Sequence, residues 1–382
     1  MWVLFRAILA LEDGTIFSGN GFGFPCEISG EVVFNTGMVG YTESLTDPSY
    51  WGQILIQTYP LIGNYAVPSY SIAGKLGVPL HFESNSIKVA GYAVSSLTKN
   101  PSHWSFDKKL DDWLVENKIP GIEGIDTREL TKKLRVDGTM LGILKVTNRM
   151  DSSEIDAIKQ KIKNIANPNE RDLVKEVTIQ EPISYVDDEK FKNVVVIDCG
   201  VKFGIIRSLL ARNVNVVRVP SDYPVEKIME LAPSGILISN GPGDPKKCVA
   251  AINTVKKFLE DENSLPIMGI CLGNQILGLA AGADTYKLKF GHRGQNHPCI
   301  DLFSKRCYIT SQNHGYAIEG GSLDATNFET FFVNANDKTI EGIKHKSKPV
   351  FGVQFHPEAS PGPYETGYLF ENFVGEVKKC QN

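Results

Sequence analysis

The chain has 382 residues, of which 42% are hydrophobic and 22% charged, with a formal net charge of −4 at pH 7. That length calls for two hydrophobic cores, and the small negative charge offers no electrostatic footprint for nucleic acid or an anionic membrane surface, so small-molecule chemistry is expected. Seven cysteines, scattered from Cys26 to Cys380, form neither a secreted disulfide framework nor a paired C-x-x-C metal site, and they predict a reducing, cytoplasmic setting.

The run from Met1 to Leu11 is apolar apart from Arg6, and Glu12-Asp13-Gly14 follows at once. It predicts a strand rather than a signal sequence, with Asp13-Gly14 turning the chain into a return strand from Thr15. Short runs at Glu31 to Phe34, Gln53 to Gln57 and Lys88 to Val94 predict a β-rich α/β domain over residues 1–150. Within it, Asp126-Thr127 can cap a helix that Gly138 ends. Ile155, Ile158, Ile162 and Ile165 share one helical face, which predicts a second helix from Asp151 with Ser152 or Ser153 as cap. Residues 151–190 then comprise this helical segment and a polar linker containing Glu181-Pro182 and Asp187-Asp188-Glu189.

From Phe191 apolar strands alternate with helices: Val194 to Ile197, a helix from Phe203, Val214 to Val219, a helix near Val225, Gly235 to Ser239, and a helix near Val249. Residues 191–382 therefore predict an α/β domain with a parallel sheet covered on both faces, where sites collect at the carboxyl ends of strands. No stretch approaches membrane-spanning length.

One such strand, Leu265 to Ile270, ends at Cys271, with Gly269 and Gly273 two residues to either side. This is the pattern of a nucleophile elbow, in which a strained residue exposes its side chain and small neighbours avoid collision. The thiol would sit at the N-terminus of a helix running from Leu272 to Ala281, whose partial positive charge favours thiolate. After another strand, Val350 to Phe355, comes His356-Pro357-Glu358, an imidazole to move the proton and a carboxylate to orient it. Gly241-Pro242-Gly243 after a third strand suits an oxyanion hole completed by the Leu272 N–H. Each segment alone has an ordinary explanation: a small buried cysteine, a chance tripeptide, a strand-to-helix loop. Their conjunction points to acyl transfer. His292 and His297 lack the spacing and partners of a zinc site and are read as a loop shaping the site or a partner surface, so no metal is expected. Asp47, Glu31 and Asp126 are read as satisfying turns and caps.

Taken in order and spacing, the Gly241, Cys271 and His356 segments resemble the triad (class I) glutamine amidotransferases. Gly30 to Tyr50, Thr58 to Asn64 and Gly124 to Arg128 resemble the small subunit of carbamoyl-phosphate synthetase. The resemblance implies Cys271 as nucleophile, His356 as base and Glu358 as its orienter. It further implies L-glutamine held by Ser49, Gly241, Gly243, Leu272, Gln275 and an Asn-His-Gly-aromatic loop at Asn313, Gly315 and Tyr316. Asn274 and Tyr316 depart from the common histidine and phenylalanine. By the same resemblance, ammonia passes through an internal channel to a large subunit, in a heterodimer or an assembly of heterodimers. This chain holds no cofactor, and ATP, Mg²⁺ and bicarbonate belong to that partner; no P-loop motif occurs here. The carbamoyl phosphate would serve arginine or pyrimidine biosynthesis. Two alternatives stay open: a stand-alone glutamine or γ-glutamyl hydrolase, and a catalytically silent regulatory binding module.

Overall fold

The computed structural model describes residues 5–148, 151–261 and 265–380. These fall into two compact units, one within Met1–Ile72 and His81–Arg171, the other within Ala73–Leu80 and Asp172–Asn382.

In the first unit the expected hairpin forms: Arg6–Leu11 pairs antiparallel with Ile16–Gly23, and Thr15 N–H donates to Asp13 Oδ1 across a turn in which Gly14 has φ 90°. Met1 to Leu4, expected to extend this strand, lie outside the described residues. Arg6–Leu11, Ile16–Gly23, Pro120–Glu123, Gly91–Ala93, Gln53–Gln57, Glu27–Asn35 and Met140–Thr147 close, in that order, into a barrel. Closure leaves no edge strand within that set. The helix Thr127–Asp137 is capped by Asp126, which accepts from Glu129 N–H at 2.8 Å, and Gly138 ends it at φ 106°. The helix Ser152–Lys161 takes Asp151 as its cap rather than Ser152 or Ser153, since both serines are already helical and the Asp151 carboxylate accepts from Glu154 N–H three residues on. Its Ile158, with Ile162, is buried against Ile8 and Ile143 of the barrel. Asp47 caps the 3₁₀ turn Pro48–Tyr50. Glu31 does neither turn nor cap duty: buried, it accepts from Gln53 Nε2 and Thr139 Oγ1, both at 3.0 Å.

The second unit is built on a mixed sheet. Asn215–Pro220, Asn193–Asp198, Gly235–Ile238, Ile267–Ile270 and Val350–Val353 run parallel, as the alternating pattern predicts. Their near-continuous Val, Ile and Leu face cores on both sides of the sheet. Ile183–Tyr185, in the polar stretch before this domain, adds an antiparallel edge strand against Asn215–Pro220. Beyond Val350–Val353 the sheet continues antiparallel through Ile340–His345, Cys307–Ile318, Thr285–Asp301 and Phe328–Asn334. His292 and His297 are therefore strand residues, and so are Asn313, Gly315 and Tyr316. The loop reading fails at both places because cross-strand partners there satisfy polar side chains that look solvent-exposed in one dimension.

Candidate active site

Cys271 follows directly on the strand Ile267–Ile270 and stands as N-cap of the helix Leu272–Ala280, with φ 55° and ψ −106°. For a residue carrying a Cβ this is a strained conformation, held because both flanking elements are buried. The glycines two residues away are required by geometry. A Cβ on Gly269 would lie 2.5 Å from the Gly273 carbonyl oxygen, and one on Gly273 would lie 2.1 Å from that of Ile238. Cys271 N–H donates to Val353 O at 2.8 Å, which ties the elbow to the adjacent strand. The sulfur lies 3.6 Å from the carbonyl oxygen of Asn313.

That adjacent strand, Val350–Val353, runs in register with the elbow strand, Ile270 opposite Val353, so His356 and Glu358 emerge at the same carboxyl edge as Cys271. His356 N–H donates to Ser311 O at 2.9 Å, which fixes the backbone of the turn. Its ring donates from Nδ1 to Glu358 Oε1 at 2.7 Å, while Nε2 is buried with no hydrogen-bond partner. Burial works against the imidazolium, but the Glu358 carboxylate outweighs it and lifts His356 to about 10. Burial likewise opposes the Glu358 charge, yet Lys202 and His356 bring its carboxyl down to about 2.

Lys202 is a member of the site that the sequence reading passed over. Its Nζ donates to Glu358 Oε1 at 3.0 Å and to Ala359 O at 2.9 Å, with both side chains buried. Its own backbone N–H donates to Asn240 Oδ1, next to the Gly241-Pro242-Gly243 turn. One signal was available: Lys202 stands beyond the carboxyl end of Asn193–Asp198, just before the helix Phe203–Leu210. Lysine in that otherwise apolar setting needs a buried partner.

The structure brings most of the expected residues to this edge. Gly241 packs so tightly that a Cβ would fall 2.0 Å from Cys199 O, and Gly243 has φ 88° against Leu173. Leu272 opens the elbow helix, where an N–H has no partner one turn back. Gln275 Nε2 donates to Tyr316 O at 2.8 Å and to Gln354 Oε1 at 3.0 Å. Gly315 lies beside Arg293, whose Nη2 would be 3.2 Å from an added Cβ. Ser49 belongs to the first unit, where it is buried in the turn Pro48–Tyr50 and its N–H donates to Asp47. Asn274, the departure in the elbow, is fully buried with neither amide atom hydrogen-bonded.

A strained thiol, an imidazole oriented by a carboxylate, and backbone N–H groups at a helix N-terminus together can form and break a thioester with an amide carbonyl.

Comparison with known proteins gives two family models in succession. Residues 9–144 match the carbamoyl-phosphate synthase small chain, CPSase domain, and residues 195–375 match glutamine amidotransferase class-I. The carbamoyl phosphate synthase small chain of Methanopyrus kandleri is 46% identical over 374 residues, covering 98% of this chain and 99% of that one. That of Methanocaldococcus jannaschii is 47% identical over 369 residues, covering 97% and 98%. The multifunctional protein CAD of Squalus acanthias is 49% identical over 368 residues, which are 96% of this chain but 16% of that protein.

Proposed function

The chain belongs to the carbamoyl-phosphate synthase small-chain family, and on that premise we infer that it is the glutamine-hydrolysing subunit of such a synthase. It is a glutamine amidotransferase. The supporting observation is Cys271 at φ 55° between two obligatory glycines, with His356, Glu358 and Lys202 at the same sheet edge.

The reaction follows from these groups. The Cys271 sulfur, as thiolate beside the His356 imidazolium, adds to the carboxamide carbon of glutamine. The oxyanion that develops is met by N–H groups of Leu272 and the Gly241-Pro242-Gly243 turn. His356 then gives its proton to the departing nitrogen, and ammonia leaves a γ-glutamyl thioester. Water adds to the thioester while neutral His356 takes its proton, and glutamate is released with the thiolate restored. Glu358 holds the ring by Nδ1 throughout, and Lys202 holds Glu358. Gln275, Asn313, Gly315 and Tyr316 are proposed to hold the substrate's ammonium and carboxylate, which amide and backbone groups can do without a metal.

The fusion of an equivalent segment into CAD supports partnership with a large synthetase subunit. We propose that this partner carries ATP, Mg²⁺ and bicarbonate, that it receives ammonia through a channel, and that the pair works in the cytoplasm for arginine or pyrimidine biosynthesis. Among the described residues no helix is long and apolar enough to cross a membrane.

The test is intact-mass analysis after exposure to a glutamine-analogue electrophile, with glutaminase turnover measured with and without the large subunit. One adduct on Cys271 and turnover stimulated by the partner are expected. Failure to label would favour a silent binding module; equal turnover alone and no complex on size exclusion would favour a stand-alone hydrolase.

A further inference from the structure

Behind the strand Cys307–Ile318 lies a buried charge pair that the reaction above does not use. His292 faces a carboxylate from each ring nitrogen: Nδ1 lies 3.2 Å from Glu341 Oε1 and Nε2 lies 2.8 Å from Asp337 Oδ2. Burial opposes a charge on this ring, but the two carboxylates hold it above its ordinary value. Glu341 is fully buried and saturated with donors, taking Asn334 Nδ2 and Thr339 Oγ1 on Oε1 and Gln312 Nε2 on Oε2. Ligand atoms of His292, His314 and Glu341 lie within 4.8 Å of one another, a spacing a metal could use. Each of them already lies against a protein partner, however, so the cluster is a network of polar contacts among side chains and not an open ligand set.

The network leads to the site. Side chains alternate along a strand, so Gln312 and His314 share one face and the peptide between them carries Asn313, whose carbonyl oxygen meets the Cys271 sulfur. His314 stands between Gln312 Oε1, 3.0 Å from its Nε2, and Tyr316 O, 2.8 Å from its Nδ1; burial keeps the ring neutral, so it donates to one of these two oxygens and is in close contact with the other. Tyr316 O accepts from Gln275 of the elbow helix. A continuous path thus runs from His292 and Glu341 through Gln312 and His314 to the backbone of Asn313–Tyr316.

We propose that His292 and Glu341 are positioning residues for glutamine: their paired charges, locked between three strands, fix the register and peptide orientation of Asn313–Tyr316, the segment that holds the substrate. The inference rests on the glutaminase reading. Removing the His292 charge leaves Glu341 buried without its counter-charge, and removing the Glu341 charge leaves the ring only the half-exposed Asp337, so the network rearranges in either case, whereas replacing both keeps the net charge of the cluster.

The experiment compares H292Q, E341Q and the double variant H292Q/E341Q with the parent, all as full chains. Glutamine KM and kcat are measured, together with thermal midpoint and peptide-mapped alkylation of Cys271 by iodoacetamide. Each single variant is expected to raise KM by about tenfold or more while alkylation stays within about twofold, and the double variant to return KM to within about threefold of the parent. An unchanged KM in folded single variants overturns the proposal. So does loss of kcat and alkylation together without a KM change, which is the mark of structural damage alone. A double variant no better than the singles also overturns it, and it decides the matter should a single variant fail to fold. If the parent itself does not hydrolyse glutamine, the functional reading falls first; if it does and the variants match it, only the positioning role falls.

Discussion

Replacing Lys202 by methionine removes the cation from a buried carboxylate while nearly keeping side-chain volume. Glu358 is held at about 2 rather than 4.5 by Lys202 and His356 against the cost of burial. That net depression, roughly 3 kcal/mol at neutral pH, already includes the opposing cost of burial, so the share of it due to Lys202 is at least about 1–2 kcal/mol. Its bond to Ala359 O adds about 1 kcal/mol more. K202M should therefore lose about 2–3 kcal/mol of unfolding free energy at pH 7. The sign of the pH dependence follows from the depressed carboxyl. The Glu358 contribution is present above 4.5 and is lost as pH falls toward about 2, so the gap between parent and variant narrows in that window. Lys202 also works against the His356 charge, so its removal makes the imidazolium harder to deprotonate and moves any His356-dependent limb of the glutaminase pH profile upward. Urea unfolding at pH 7 and pH 4, with a pH–rate profile, measures all of this. A stability change within about 0.5 kcal/mol at pH 7, the range of ordinary surface substitutions, would refute the assignment of Lys202 as the carboxylate's counter-charge.

Loss of the proton carrier should exceed loss of its orienter: H356N is expected to lower glutaminase kcat by about 10²- to 10⁴-fold and E358Q by less, and a reversed ranking in steady-state assays would reassign the two roles. G273A should cost about 1–3 kcal/mol and slow labelling of Cys271, because its Cβ collides with Ile238 O; unchanged labelling and stability would show that the elbow tolerates a methyl there. D126A removes the cap of Thr127–Asp137 and should lower stability by about 1 kcal/mol in urea unfolding without altering glutaminase turnover.

Much of this was legible in one dimension because it rests on local rules. Gly269 and Gly273 announce the elbow since any side chain there meets backbone within two residues' reach of the turn or on the neighbouring strand. Asp13-Gly14 and Asp126 announce a turn and a cap whose bonds close within three residues. The five parallel strands announce themselves as near-continuous apolar runs, interrupted in Asn215–Pro220 by Arg218, because both their faces are covered.

Other features had no local signature. Thr285–Asp301 alternates apolar and polar residues only over Tyr286–Phe290; from Gly291 onward its Gly, His, Arg, Gln and Asn show no such pattern, and it continues as a strand because Cys307–Ile318 and Phe328–Asn334 pair with it. Lys202 and Glu358 are separated by most of the second unit and meet only when parallel strands align their ends.

The amino-acid sequence by itself determined the strained elbow at Cys271, the His356-Pro357-Glu358 turn and the parallel α/β frame, because strain at a turn and burial on both faces leave their mark within a few residues. Only the tertiary structure decided closure of the first unit into a barrel, the antiparallel extension of the second sheet, and which buried charge balances which. A buried ion pair is set by distance in space, and residues such as His292 and Glu341 or Lys202 and Glu358 acquire partners only once the strands between them have been laid side by side.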